Sequence, residues 1–350
     1  MRPERNPFIA GSWVRGDNFF GRTSILREIM EGERDSLWVV GARRLGKTSL
    51  LKELEYRVLR NAQTDFVPLF WDLQGSGDVR GLADNLLGSV EDTESFRRAT
   101  SVGTEDLEGL AVFDMLTNLL RRTVRSGWRL LLLVDEAEEF LTVARQDPAV
   151  LPRLRRILQK GPELRTVLTS TRRLARLDER TDFDTSPFLL GFIPPLYLTP
   201  LAPEEARALL ARGRFSDEEM GTVMERTANH PFLLQLIASR LFESRDLAAT
   251  MDQVAADEMV SNFFSVDFQT LEPVERQLVE EAVRAGGRTR KELVQAAGST
   301  DERIEPLLFG LTRMGYLSPA DNGSYRVGNW FFERWLRRVA ESRAGEARTV

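Results

Sequence analysis

Cysteine is absent from the 350-residue sequence, and histidine occurs once, as His230. The first absence excludes disulfides and thiolate metal sites and fits a reducing compartment. The second excludes a metal cage built from histidines. Long apolar runs are missing too, since the longest uninterrupted one is Leu130 to Val134, far short of the ~20 residues that span a bilayer. The N-terminal stretch MRPERNPFIAGSW has no signal-peptide core, and the sequence reads as cytoplasmic. Nor does one sign of charge dominate: a net charge of −5 gives no global pull toward nucleic acid or an anionic membrane. Lysine is scarce as well. All but four of the 48 basic residues are arginine, a bias that points to a GC-rich bacterial genome and carries no mechanism. What remains is ordinary for a globular protein, 42 % hydrophobic and 29 % charged, and long enough for two or three domains.

Short apolar runs alternate with helical patterns over the first 200 residues. The runs are SLWVVG (36–41), FVPLFWDL (66–73), WRLLLLVDE (128–136), LRTVLTS (164–170) and PPLYLTPL (194–201), with amphipathic stretches such as 47–61 and 105–126 between them. Continuous apolar strands separated by helices predict a parallel sheet buried on both faces, an α/β fold. Residues 89–108 and 176–185 are polar enough to read as exposed excursions. After Pro203 the strands stop, and four helical patterns predict a small helical domain over 203–265. From 266 to 340 the order is helix, helix, helix, then two short strands about Asp321-Asn322-Gly323, which is the order of a winged helix. A last amphipathic helix, WFFERWLRRVA, closes that domain, and 341–350 reads as a flexible tail.

The most informative stretch is VVGARRLGKTS, residues 39–49. Gly41-x4-Gly46-Lys47-Thr48 is a full G-x-x-x-x-G-K-[ST] pattern, between an apolar strand and a helical pattern. Glycines let backbone N–H groups turn inward on phosphate oxygens, and the following helix start adds partial positive charge. A compact ammonium on a mobile stem reaches between phosphates where a planar guanidinium fits poorly, which explains a lysine kept in an arginine-dominated chain. Arg44, Leu45, Gly46, Lys47, Thr48 and Ser49 would line the phosphates, while the Arg43 and Arg44 side chains read as loop-filling and turned to solvent or a partner. Thr48 would ligate Mg²⁺. In LLLLVDEAEEF, Asp135 ends an apolar strand, where ligands bind in open α/β sheets. It would complete the Mg²⁺ shell, and Glu136 would orient or deprotonate a water attacking the γ-phosphate. Asp-Glu after a strand is also an ordinary helix cap. Glu138 and Glu139 read as a solvated face. In TVLTSTRR, Ser170 and Thr171 would lie beside that water, and Arg172 would touch the γ-phosphate as a nucleotide sensor; a surface arginine pair capping a helix is the alternative.

Loop, Asp-Glu strand and Ser-Thr-Arg strand in this order resemble a P-loop ATPase of the AAA+/STAND kind. Four further stretches carry the resemblance. NPFIAGSWVRGDNFFGR (6–22) is similar to the N-terminal segment of bacterial STAND and archaeal-type ATPases, which implicates Phe20, Gly21 and Arg22 near the adenine. YLTPLAPEEARALL resembles the entry into the family's helical lid, and ANHPFLLQLIASRL resembles its Gly-x-Pro nucleotide-sensing helix, matched by Asn229-His230-Pro231. His230 is then either a nucleotide contact or a buried polar residue at a helix start, and Asn229 stands where the family expects glycine. The winged helix follows where the family places it.

The resemblance implies a nucleotide-binding domain over 1–202, a helical lid over 203–265 and a winged helix over 266–340. It further implies ATP or ADP with Mg²⁺ as cofactors, slow hydrolysis, and a nucleotide-driven switch in signalling or defence. No effector domain or repeat array is evident, so a protein partner in trans and a homo-oligomer are expected. The competing reading is an origin-recognition-like ATPase with its winged helix on duplex DNA, and a weaker one is a nucleotide-binding scaffold without turnover. Between Asp267 and Arg338 eleven basic residues face eleven acidic ones, and the third helix carries Asp301, Glu302 and Glu305 against Arg303 and Arg313. DNA binding draws on the opposite sign, so a protein-contacting role is expected over DNA, with Arg288, Arg290 and Lys291 as the one basic cluster to the contrary.

Overall fold

Four of the apolar runs become strands almost as the sequence divides them: β1 (Ser36–Val40), β2 (Phe66–Asp72), β3 (Arg129–Asp135) and β4 (Leu164–Ser170). The fifth run contributes only β5 (Leu196–Tyr197), because prolines at 194, 195 and 200 bracket it and remove ladder donors. The computed structural model describes residues 5–179 and 187–349. Among them two compact units are distinct: one is formed by Trp13–Gly41 and Lys47–Tyr197, the other by the stretch ending at Ser12, the loop Ala42–Gly46 and the chain from Leu198 onward.

In the first unit the strand order is β2-β3-β4-β1-β5, every pair parallel. Register places Val40 beside Ser170 and Asp72 beside Asp135, so the chemistry-bearing strand ends share one edge of the sheet. Such a sheet needs helices on its faces. Trp71, Leu37, Leu132 and Leu133 from the strands are fully buried, as are Leu51 and Leu54 from the helix Lys47–Arg60 and Leu119 from Val112–Arg125. Arg165 inside β4 is only 5 % exposed because its guanidinium donates to the carbonyls of Ile29, Met30 and Gly32, capping the helix Thr23–Glu31.

Residues 89–108 depart from the sequence expectation. Helices Val79–Asp92 and Glu94–Thr100 run through most of that stretch, and Phe96, Val102 and Leu107 are buried. Isolated apolar residues among charges anchor a segment without leaving a periodic signature. Of the second expected excursion, Arg176–Glu179 is helical and Leu177 is buried; residues 180–186 lie outside the described residues.

The second unit begins its helices at Pro203 and continues through Asp217–Thr227, Pro231–Ser244, Leu247–Ala256 and Glu258–Gln269. The helices Pro273–Arg284, Arg290–Ala296 and Asp301–Arg313 follow, with a three-stranded antiparallel sheet of β6 (Arg288–Thr289), β7 (Leu317–Pro319) and β8 (Ser324–Val327) in the order β6-β8-β7. Gly323, at φ 75°, supplies the left-handed residue of the β7–β8 turn. Phe264, Phe268, Phe332 and Trp335 stack as the core of this unit. The last helix, Trp330–Thr349, continues through the residues expected to be a loose tail. The earliest described residues also belong here. Phe8 stacks on Phe215 at 5.7 Å, Asn6 donates to Ser239 and Glu243, and Ile9 N–H donates to Gln235. The sequence reading assigns these residues to the nucleotide-binding domain instead; a short apolar segment shows no periodicity that tells which core takes its phenylalanine.

Candidate functional site

β1 ends at Val40, and the chain turns through Gly41–Gly46 before the helix Lys47–Arg60 starts. Arg44 at φ 62° and Gly46 at φ 96° are left-handed, which aims successive peptide groups to one side of the loop. Lys47 is 6 % exposed, and its ammonium donates to the Gly41 carbonyl at 3.3 Å. A buried cation on that short tether is in place for an anion. Ser49 Oγ accepts from Val14 N–H at 3.1 Å, and buried Glu53 accepts from Gly16 N–H at 2.6 Å, so the 13–16 stretch is fastened to the same helix.

Asp135, 2 % exposed at the end of β3, gathers three donors. Thr48 Oγ1 donates to Oδ2 at 2.6 Å, Thr169 Oγ1 donates to Oδ1, and Glu136 N–H donates to Oδ1 at 3.0 Å. Glu136 follows at φ 52°, a left-handed conformation that costs a non-glycine residue of order 1–2 kcal/mol. Strain of that kind concentrates at functional positions. Asp72, the cross-strand neighbour of Asp135, has its carboxyl pushed above the usual range. Partial burial is the main cause, opposed by the Gln74 N–H bond, with the Asp135 charge adding to the rise.

At the end of β4, Ser170 is fully buried, accepts from Trp38 Nε1 at 2.8 Å and donates to the Thr171 carbonyl at 2.8 Å. Its hydroxyl is thus engaged by Trp38 and by the Thr171 carbonyl inside the sheet. The Thr171 hydroxyl is buried with no hydrogen-bond partner among the described residues, which makes it the polar group at this strand end open to a ligand. Arg172, half-buried, begins the helical turn Arg172–Ala175 immediately after it.

Glu138 and Glu139 are not a solvated face. Both are half-buried, and the Glu138 carboxylate accepts from Thr171 N–H at 3.4 Å through either oxygen. Burial, then the charge of Glu138, raises the Glu139 carboxyl. Sequence reasoning missed Thr169, Asp72 and Glu138. Asp72 had a signal of its own, an aspartate ending an apolar strand as Asp135 does, whereas the Thr169 and Glu138 contacts depend on register and on the turn after β3.

Phe20, Gly21 and Arg22 lie in the sheet unit, with Gly21 at φ 71° and Arg22 at φ 64° leading into the helix Thr23–Glu31. His230 and Pro231 belong to the second unit. His230 is 7 % exposed, precedes the helix Pro231–Ser244 and meets Phe263 edge-on at 5.8 Å. Asn229 sits at φ 57°, where glycine or asparagine is favoured, so its replacement of the expected glycine keeps the backbone conformation available.

Comparison with known proteins bears on the fold. Residues 30–177 match the family model described as an AAA domain. No curated protein matches the sequence. Among solved structures, the Walker-type ATPase of Pyrococcus abyssi superposes with a TM-score of 0.71 at 17 % identity, covering 95 % of this chain and 99 % of that one. The ORC2 protein of Aeropyrum pernix, solved in ADPNP–ADP complexes, superposes with a TM-score of 0.52 at 13 % identity, covering 94 % and 98 %. At these identities the likeness is one of fold. Residues 30–177 thus match an AAA domain, and the chain shares the P-loop ATPase fold of these structures, a parallel sheet with the phosphate-loop pattern between β1 and the following helix.

Proposed function

We propose that this chain is a Mg²⁺-dependent ATP-binding switch of the STAND kind that hydrolyses ATP slowly. The observation that carries the reading is the 2.6 Å bond from Thr48 Oγ1 to Asp135 Oδ2, adjoining the buried ammonium of Lys47. A hydroxyl and a carboxylate held together are the all-oxygen donor set that Mg²⁺ uses alongside phosphates. Lys47 and the loop amides would hold the β- and γ-phosphates, and Thr48 and Asp135 the metal. Bound Mg²⁺ would supply charge neutralisation on the phosphoryl oxygens. Glu136 would take the proton of the attacking water or orient it, Thr171 would place that water, and Arg172 would read the γ-phosphate. Phe20, Gly21 and Arg22 would serve the adenine side, and His230 and Pro231 the nucleotide-sensing helix.

In this reading 203–265 is a lid and 266–340 a winged helix that locks a closed, ADP-bound form. Exchange or a partner opens it toward an oligomer. Duplex DNA as the partner is the second reading, on the basic cluster Arg288, Arg290 and Lys291. Arg290 pairs with Asp301 at 2.7 Å and Glu305 at 3.0 Å, and Arg288 with Glu281 and Glu292. Exposed pairs of this kind are weak and exchangeable, so the balanced charge does not remove DNA from that cluster.

Phosphate release from ATP, with and without Glu136→Gln, tests the switch. Measurable release that the variant abolishes, together with a change in solution mass between ADP and ATP, supports it. Release unchanged in the variant at a near-zero rate supports a scaffold without turnover. Salt-dependent duplex binding lost on charge reversal of Arg288, Arg290 and Lys291 supports the DNA reading.

A further inference from the structure

The phosphate loop is gripped at two consecutive residues by the unit that contains Ala42–Gly46. Asp267, on the helix Glu258–Gln269 and 4 % exposed, accepts from the Arg43 backbone N–H at 2.9 Å through Oδ1. Its Oδ2 accepts from Tyr316 O–H at 2.7 Å. Tyr316 immediately precedes β7, and burial followed by the Asp267 charge pushes its phenol well above the ordinary range, keeping the proton on the oxygen that donates. One residue further along the loop, the Arg44 guanidinium lies over the Phe232 ring, 5.0 Å from its centroid, and donates to the Gly11 carbonyl at 3.2 Å.

Arg44 needs such a grip. It is a Cβ-bearing residue at φ 62° in a loop whose N–H directions depend on that conformation. Left-handed backbone is unfavourable for such residues and persists where the surroundings over-determine it. A carboxylate on the peptide just before and an aromatic ring under its own guanidinium are surroundings of that kind. In the sequence the Arg43 and Arg44 side chains read only as loop-filling, and Asp267 only as one of eleven acidic residues in its stretch.

We propose that Asp267 is a positioning residue for nucleotide binding: with Phe232 it clamps Arg43 and Arg44 so that the loop is preformed for phosphate, and Tyr316 ties the loop's state to the C-terminal three-stranded sheet. The proposal rests on the loop binding ATP as argued above. Preorganisation of this sort improves affinity by removing an ordering cost at the moment of binding. The same link gives that sheet a physical handle on the loop, since a shift of Tyr316 moves the carboxylate that holds Arg43.

The test is the affinity of the full chain for a fluorescent ATP analogue with Mg²⁺, with circular dichroism and a nucleotide-free melt as controls on folding. Asp267→Ala should bind about five- to thirtyfold more weakly, the fold-change that corresponds to a left-handed cost of about 1–2 kcal/mol. Tyr316→Phe, which keeps the ring and drops one donor, should weaken binding less. The decisive comparison is made in an Arg44→Gly background. Glycine takes the left-handed conformation without cost, so Asp267→Ala there should cost less than about threefold if the clamp exists to hold residue 44. An equal loss in both backgrounds would overturn the clamp, as would wild-type affinity in a folded Asp267→Ala. Failure of the wild type itself to bind, with Lys47→Ala indistinguishable from it, would instead sink the ATP reading on which the clamp depends.

Discussion

Replacing Lys47 by alanine separates the nucleotide-free protein from the nucleotide-bound one. Without ligand, Lys47 is 6 % exposed, and replacing its side chain relieves the desolvation of a buried cation while giving up polar contacts that include a 3.3 Å bond to the Gly41 carbonyl. The variant should therefore melt within about 1 kcal/mol of the wild type. With ATP and Mg²⁺ at one hundred times the wild-type dissociation constant, the wild type gains about 2.7 kcal/mol. For a folding unit of this size that is roughly 5–11 °C in melting temperature. Loss of a charge-assisted bond to phosphate is worth about 2 kcal/mol, or roughly thirtyfold in affinity. At the same nucleotide concentration the variant then gains only about 0.9 kcal/mol, or roughly 2–4 °C. Differential scanning fluorimetry with and without nucleotide reads both numbers in one plate. An equal nucleotide shift in wild type and variant would refute the assignment of Lys47 to the phosphates, and no shift in either would refute nucleotide binding at this loop.

Asp72→Asn should stabilise the nucleotide-free protein at neutral pH. The Asp72 carboxyl is raised by burial, with the Asp135 charge adding to it, so the folded state disfavours its ionised form. The stability that the protonated group contributes is complete below its unfolded value of 3.8 and is lost as pH rises through the raised folded value. Urea melts should thus show the variant ahead at pH 7 and level with wild type near pH 3; because Asp72 is largely exposed, solvent screening keeps the gain small. Asn229→Gly should leave stability nearly unchanged, while Asn229→Val should cost about 1–2 kcal/mol, since φ 57° is open to glycine and asparagine and not to a β-branched residue. Equal costs for the two in a thermal melt would contradict the conformational reading of that position.

The phosphate loop was legible because each of its requirements is local. A strand, two glycines, a lysine and a threonine must be adjacent in the chain to aim peptide groups and an ammonium at one spot. The four long strands were legible for a similar reason, since largely apolar stretches of five to seven residues between helical patterns have few other uses. What a side chain would meet across the sheet was not. That Ser170 faces Trp38, that Thr169 joins Thr48 on Asp135, and that Glu138 reaches the Thr171 peptide all follow from the β3-β4-β1 register. Nothing along the chain encodes which strands become neighbours.

By itself, then, the sequence determined the class of sheet, the loop and the residues at the strand ends, because these depend on near neighbours and on periodicity. Only the tertiary structure decided where Phe8 is buried, that residues 89–108 are anchored helices, and that Asp267 and Phe232 hold the loop. The physical reason is common to all three. Asp267 lies more than two hundred residues from Arg43 in the chain, and a carboxylate's burial, its donors and the backbone conformation it sustains exist only once packing has brought its partners to it.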